Sequence, residues 1–386
     1  MQVPLPQPIQ SDTAPSLTNA CEKATTVASA GGDFCVCRYH LNGGASEGVE
    51  LIVVDSGQVR AAICPTRGMS LWKANIDAVP CGWDSPVVGP VHPSHIPILD
   101  EGGLGWLEGF DELLVRCGLR SFGAPDFNGD GKMLYPLHGR IGNLPARDVK
   151  IDVDAEHSLL TVSGQVLETR FLQYNLELRA SYTFPFGQPV IEVNDTVTNR
   201  SSQPAGIQML YHVNFGAPLL GKGAKFHTGS DRVVARNERA AIDIDTWDTY
   251  REPTPGYEEQ VYFYGSRADE EGWASNVLTS PDAKTAVAVR HKADTLPYLT
   301  QWKNTVAEED GYVTGLEPGT GFPNPRSFEE AGGRVISLGG GESIDFQLAI
   351  EAMTDSARIR TVTDALASQR GDIEQQKFDA NWCTPR

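Results

Sequence analysis

Nowhere in this 386-residue chain does an apolar run approach the roughly 18 residues of a membrane-crossing helix. Basic charge is scarce as well. Lys and Arg number 32 against 50 Asp and Glu, a formal net charge of −18. That balance repels phosphate backbones and anionic membrane surfaces, so neither nucleic acid nor a membrane is an expected partner. No Cys-x-x-Cys pair occurs among the seven cysteines, at positions 21, 35, 37, 64, 81, 117 and 383. An odd number at irregular spacing supports neither a zinc ribbon nor a thioredoxin-type motif. Reduced, mostly buried thiols in a cytoplasm are the expectation. The opening MQVPLPQPIQSDTAPS lacks a basic stretch followed by an apolar one, so it does not read as a secretory signal. No internal repeat or low-complexity block occurs beyond residue 20.

What the chain does have is strand patterning. Residues 1–20 are polar and Pro-rich and read as an extended or disordered arm. Residues 21–386 read as one large domain, long enough to bury a sizeable core. FCVCRYHL and VELIVVDSGQVRAAICP suggest a hairpin, with Asp55, Ser56 and Gly57 at its turn. VKIDVD, SLLTVSGQVLE, YNLELRASYTF and PVIEVNDTVTNR follow with turn residues between them. TAVAVRHK, YLTQWKN, GYVTGLEP and SIDFQLAIEAM continue the pattern after a polar, aromatic loop at 245–264. Closely spaced strands with few helices point to an all-β, antiparallel sandwich rather than alternating strands and helices. Residues 106–116, WLEGFDELLVR, suggest one short helix from their apolar spacing. A helical tail is expected at about 355–379.

Three stretches carry chemistry. LYPLHGRIGNLPA, residues 134–146, presents His138 and Arg140 on a loop. Gly139 and Gly142 permit tight turning there, and Pro136 and Pro145 fix the chain on either side. QMLYHVNFGAPLL, residues 208–220, sets His212 in an apolar strand. YVTGLEPGTGFPNPR, residues 312–326, ends a strand at Glu317 before a Pro-Gly turn. Each has an ordinary structural reading: a turn-rich corner, a core histidine, a solvated strand-end carboxylate. In this order and spacing, they resemble the galactose mutarotase (aldose 1-epimerase) superfamily. The likeness is closest to a poorly characterised branch with a PLHGRIGN motif, and it runs from about residue 50 to residue 352.

That resemblance implies a large β-sandwich with a sugar in a cleft across one face. It implies an isomerase that opens an aldopyranose ring and closes it on the other face. A base must take the anomeric proton and an acid must protonate the ring oxygen. By resemblance Glu317 is the base, His212 the acid, and His138 a hydrogen-bonding group beside them. No metal, nucleotide or other cofactor is required. Arg140 is near enough to His138 to hold sugar hydroxyls, with Arg67 and Arg120 as further candidates. Arg140 with at least one of Arg67 and Arg120 in the cleft would suit an anionic or heavily oxygenated substrate, and Arg140 alone a neutral aldose. The resemblance also implies an aspartate some way before the glutamate, for which Asp245 and Asp248 are candidates. Trp302 and Lys303 are candidates to line the cleft, as are Trp83 and Trp106, since tryptophan offers a flat apolar face to a pyranose.

Other classes remain open. A lyase or an epimerase at another carbon could use the same acid–base pair, because fold does not fix chemistry. A non-catalytic carbohydrate-binding module would not need the three groups to converge. DFNGDG, residues 126–131, begins like a calcium loop, but its twelfth position is Leu137 instead of Glu, so a tight turn is expected. The histidines of HPSH, residues 92–95, lack neighbouring ligands of metal-site pattern.

Overall fold

The structure is a computed structural model, and it describes residues 23–384. The arm expected at 1–20 lies outside the described residues, as does Cys21. Two large sheets form the described chain. The first has 14 strands. Its centre is the run Leu114–Leu119, Ala205–Phe215, Val313–Gly319 and Tyr298–Asn304, each hydrogen-bonded to the next. The second has eight strands and carries the hairpin ladder Arg147–Asp154, Leu159–Arg170, Tyr174–Pro185 and Val190–Asn199. Among the described residues the strands pair antiparallel except once, between Arg232–Ala235 and Glu374–Gln376. Among the described residues no helix is long and apolar enough to cross a membrane.

Period-two patterning makes these strands and also sorts their faces. Along Tyr174–Pro185, Leu176, Leu178, Ala180, Tyr182 and Phe184 are fully buried, every second residue. They meet Phe34, Val54, Leu71, Val213 and Leu316 of the larger sheet in one continuous core. Each large apolar side chain buried there stabilises the fold by about 1.5–3 kcal/mol. One polar bridge crosses this core. Arg116 grips Asp195 through Nε at 2.6 Å and Nη2 at 2.9 Å. Arg116 Nη1 also donates to the Met69 carbonyl and to the Tyr182 hydroxyl, and the Tyr211 hydroxyl donates to Asp195. Every charge taken from water there has a partner, which offsets its desolvation.

Several sequence expectations change in detail. Residues 106–116 do not form one helix. A short 3-10 turn spans Gly105–Gly109, and a strand begins at Leu114. The apolar positions that suggest one helical face are split between that turn, the link at 110–113 and a strand buried on both sides. A continuous apolar run on such a strand has no readable period. The polar loop starting at 245 ends sooner than expected, because Gln260–Gly265 is already a strand. The tail forms a helix over Ser356–Arg370, capped by Asp355, and then returns as the parallel strand Glu374–Gln376. The DFNGDG segment is a small hairpin, Asp126–Phe127 against Met133–Tyr135. Its turn is closed by Asn128, which accepts from the backbone of Asp130 and Lys132.

The thiol expectation needs one correction. Cys64, Cys81, Cys117 and Cys383 are buried free thiols and Cys35 is a half-buried one. Burial raises these thiols, Cys81 to about 12, so they stay protonated. Cys37, however, is disulfide-bonded. Irregular spacing in sequence does not report which sulfurs the fold brings together.

Candidate active site

Two neighbouring strands at the centre of the larger sheet carry an acid–base pair. Val213 pairs with Leu316 and Asn214 with Gly315, a register that sets His212 opposite Glu317. On the next strand Thr300 pairs with Glu317 and Trp302 with Gly315. Alternation turns Met209, Tyr211 and Val213 into the inter-sheet core. His212 and Asn214 therefore face the other way. On that side His212, Glu317, Thr300 and Trp302 line a cleft of about 320 Å³. Its size and its mixture of aromatic wall and few polar groups suit one small polar molecule.

His212 Nε2 lies 3.2 Å from Glu317 Oε1, with both side chains almost wholly buried. Its other ring nitrogen, Nδ1, lies 2.6 Å from Asn214 Oδ1. The strand opposite leaves room for this contact only because residue 315 is glycine. A Cβ there would sit 2.5 Å from Glu317 Oε1 and 3.1 Å from His212 Cε1. Burial pushes the Glu317 carboxyl well above its ordinary value, and Glu259 adds to the rise while Arg236 opposes it. Burial pulls His212 down to about 4. Both shifts favour the uncharged pair, with one proton shared between carboxyl and imidazole.

His138 completes the cluster from a loop. Its backbone sits in the left-handed region at φ 55, and Gly139 follows at φ 70. The loop is held because His138 N donates to Gly123 O and Gly118 N donates to His138 O. A Cβ at residue 139 would come within 2.1 Å of Ser121 O, so the glycine is sterically required. The His138 ring stands 4.5 Å from Trp106 and 5.3 Å from His212, centroid to centroid, edge-on to the latter. Burial first, then His212 and Arg236, hold its pKa well below the usual imidazole range.

The polar atoms at the cleft floor are short of partners. His138 Nδ1, Thr300 Oγ1 and Glu317 Oε1 are buried without an aligned hydrogen bond. For Glu317 this holds even though Nε2 of His212 is 3.2 Å away, because the approach is off-line. Unsatisfied buried polar atoms are costly in a native protein and concentrate where a ligand supplies the missing bonds. Trp106, Phe110 and Trp302 wall the cleft. Trp302 Nε1 donates to Glu259 at 2.6 Å, and Arg236 lies 3.6 Å from the other Glu259 oxygen. A larger hollow of about 490 Å³ shares Arg236 and is bordered by Ile242 and Phe378. It contains no histidine and no buried carboxylate, whereas the smaller cleft holds both.

Residues 46–352 match the model of a domain of unknown function, DUF4432. The chain belongs to this family. It belongs also to the galactose mutarotase-like superfamily, as its solved relatives show. A candidate aldose 1-epimerase from Klebsiella pneumoniae is 33% identical, covering 90% of each chain, with a TM-score of 0.86. A galactose mutarotase-like protein from Clostridium acetobutylicum shares the fold at 14% identity, covering 83% of this chain and 98% of its own, with a TM-score of 0.57. A candidate aldose 1-epimerase from Escherichia coli K12 does so at 12% identity, over 80% of this chain and 100% of its own, with a TM-score of 0.54. No curated protein is significantly similar to the chain.

Within this DUF4432 chain, His138, His212, Glu317, Trp302 and Trp106 meet in one cleft. The other candidates stand elsewhere. Arg67 is buried beneath the cleft wall, paired with Glu112 at 2.6 Å and donating to Val91 O. Arg120 lies between the rings of Tyr174 and Tyr135, 4.1 and 5.0 Å from their centroids. Arg140 is exposed and does not line the cleft. Lys303 is buried behind the sheet, where it donates to the carbonyls of Thr246, Trp247 and Thr249. Adjacent strand residues face opposite ways, so Trp302 and Lys303 cannot both face one cleft. Burial holds the Lys303 pKa down to about 7. Asp248 is half-buried in the loop that Lys303 ties down, Asp245 is exposed, and neither lines the cleft. Trp83 packs behind Phe110 at 5.0 Å.

Sequence reading missed Thr300, Arg236, Glu259 and Asn214. Thr300 and Asn214 were legible, since each is two residues from a named site residue on the same strand and so shares its face. Arg236 and Glu259 carry no local motif; only the packing of distant loops brings them in.

Proposed function

We propose that this protein is an aldose 1-epimerase-like isomerase acting on a neutral monosaccharide. The observation that carries this reading is the His212–Glu317 pair, two proton-exchanging groups 3.2 Å apart under a monosaccharide-sized cleft. Ring opening removes a proton from the anomeric hydroxyl, breaks the bond from C1 to the ring oxygen, and delivers a proton to that oxygen. A pair holding one mobile proton performs both transfers without net change. With the proton on His212, Glu317 accepts from the anomeric hydroxyl while His212 gives to the ring oxygen. The proton count is then stored on Glu317. Rotation about C1–C2 and the reverse transfers close the ring on its other face and restore the pair.

Burial favours the proton on Glu317, so the ionic form has to be favoured by the bound state. Arg236 contributes in that direction by opposing the rise of the Glu317 pKa. His138, with its unpartnered Nδ1, is placed to hydrogen-bond the same hemiacetal. A neutral substrate fits best because, among the described residues, Arg236 is the only Lys or Arg lining the cleft and is already beside Glu259. An anion there would meet two carboxyl groups and no free guanidinium fork.

The test follows anomer interconversion of a panel of neutral and anionic aldoses by NMR saturation exchange or polarimetry. At least one neutral aldose should interconvert well above the spontaneous rate. Binding without acceleration of any sugar would replace mutarotation with a binding-module, lyase or epimerase reading. A preference for anionic sugars would overturn the assignment of charge.

A further inference from the structure

We infer that Asn214 fixes the tautomer of His212 and thereby selects Nε2 as the nitrogen that exchanges the proton. Asn214 is fully buried and His212 nearly so. They lie two residues apart on one strand and hence on one face of the sheet. The Asn214 amide nitrogen donates to Glu112 O at 3.0 Å and to His212 O at 3.2 Å. Two carbonyl oxygens can be satisfied only by an N–H donor, so the orientation of the amide follows from its surroundings. Its oxygen is thereby turned to His212 Nδ1 at 2.6 Å. An amide oxygen only accepts. Nδ1 must therefore carry a hydrogen whether the ring is neutral or charged.

The mobile proton then belongs to Nε2, which is the nitrogen 3.2 Å from Glu317 Oε1. The other groups facing the ring are Trp106, Phe110, Trp302 and His138. None of them donates to or accepts from Nδ1. A neutral ring with its proton on Nε2 instead would turn two lone pairs toward each other at Nδ1 and Oδ1. It would also remove the acceptor that faces the Glu317 carboxyl. Asn214 is thus a positioning residue, acting through His212.

A buried loop holds Asn214 in turn. The Glu112 carbonyl that anchors the amide also accepts from Trp83 Nε1 at 3.1 Å. The Glu112 carboxylate is gripped by Arg67 at 2.6 Å and accepts from Asp111 N at 3.1 Å. Arg67 therefore serves the site from behind, through a chain of four groups that ends on one imidazole nitrogen. Outer partners of this kind fix ring orientation and tautomer in other histidine sites.

The tautomer can be read without any substrate; its catalytic consequence rests on the isomerase reading above. The experiment labels the histidines with 15N and records long-range ring correlations of the folded protein at neutral pH. The His212 signals are those lost in His212→Gln. Nδ1 should appear protonated and Nε2 in the lone-pair range. A wild-type ring protonated on Nε2 overturns the inference, whether or not any variant folds. In Asn214→Ala the Nε2-protonated fraction should rise, and the rate on an accepted sugar should fall about 10- to 100-fold, mainly in kcat. An unchanged tautomer in that variant removes Asn214 from the role. If the tautomer is as expected and no sugar is turned over, the isomerase reading fails while the assignment of the proton stands.

Discussion

Two of the buried ionisable pairs in the molecule are opposite in character. Between the sheets, Arg116 and Asp195 are joined by two hydrogen bonds, and both tyrosine hydroxyls and a backbone carbonyl complete their shells. Despite burial, the Asp195 charge keeps the Arg116 pKa above its ordinary value. At the cleft floor, His212 and Glu317 touch off-line, and Glu317 Oε1 lacks an aligned donor. There burial wins and both groups are driven toward neutrality. The difference teaches how the same fold separates support from chemistry. A charge given all its partners is locked and structural. A pair left short of partners keeps a movable proton and atoms free to meet a ligand.

The largest expected effect breaks the second pair alone. Glu317→Gln keeps the shape of the side chain but cannot accept a proton. Turnover of an accepted sugar should fall on the order of 100- to 10,000-fold. Unfolding free energy should stay within about 1 kcal/mol, because one neutral group replaces another. Denaturant melts beside rate assays would expose the error if stability fell and rate did not.

Arg116→Ala tests the first pair in the opposite sense. It leaves Asp195 buried without its cation, which costs about 3–5 kcal/mol in comparable cases. The loss should appear in chemical denaturation, and any lost activity should track the unfolded fraction. A variant as stable as the parent would mean that the bridge between the sheets is not structural.

Gly315→Ala sharpens the contrast at the cleft without removing any charge. The added methyl must push the Glu317 carboxylate or the His212 ring aside. Overpacking of this kind costs about 1–3 kcal/mol, and a misplacement of about an ångström costs roughly 100-fold in rate. Wild-type kinetics in this variant would show that the pair tolerates displacement.

The pH dependence separates the two pairs again. On the isomerase reading, the cleft is active while it holds one mobile proton. Activity should fall at low pH as His212 takes a second proton, near its lowered value of about 4. It should fall at high pH as the pair loses its last proton, above the ordinary carboxylate range because Glu317 is raised. A carboxylate base and an imidazolium acid taken singly would put the carboxylate on the acid limb; the shared proton exchanges the two assignments. An acid limb near 6.5 in the kcat/KM profile would contradict the desolvation of His212. The smallest expected effect is Arg140→Lys, which should leave affinity and rate unchanged because Arg140 is exposed outside the cleft. A clear loss of affinity would restore it to the site.

By itself the sequence determined the strands, through period-two burial as along Tyr174–Pro185, and the local turns, such as the glycine-bearing loop of His138. It also carried the three motifs whose residues His138, His212 and Glu317 line one cleft. The rule that adjacent residues face apart was already enough to separate Trp302 from Lys303. Local pattern failed where a strand is buried on both faces, as beyond Asp111, because period then disappears. It failed also wherever the answer lay in a distant partner. Arg67 reads as a free guanidinium until Glu112 is found beside it, and Cys37 reads as a thiol. Only the tertiary structure decided that His212 stands opposite Glu317, with Asn214 beneath one ring nitrogen and Arg236 at the rim. Strand register between segments far apart in sequence is chosen by how two whole faces pack, and no local stretch contains that choice.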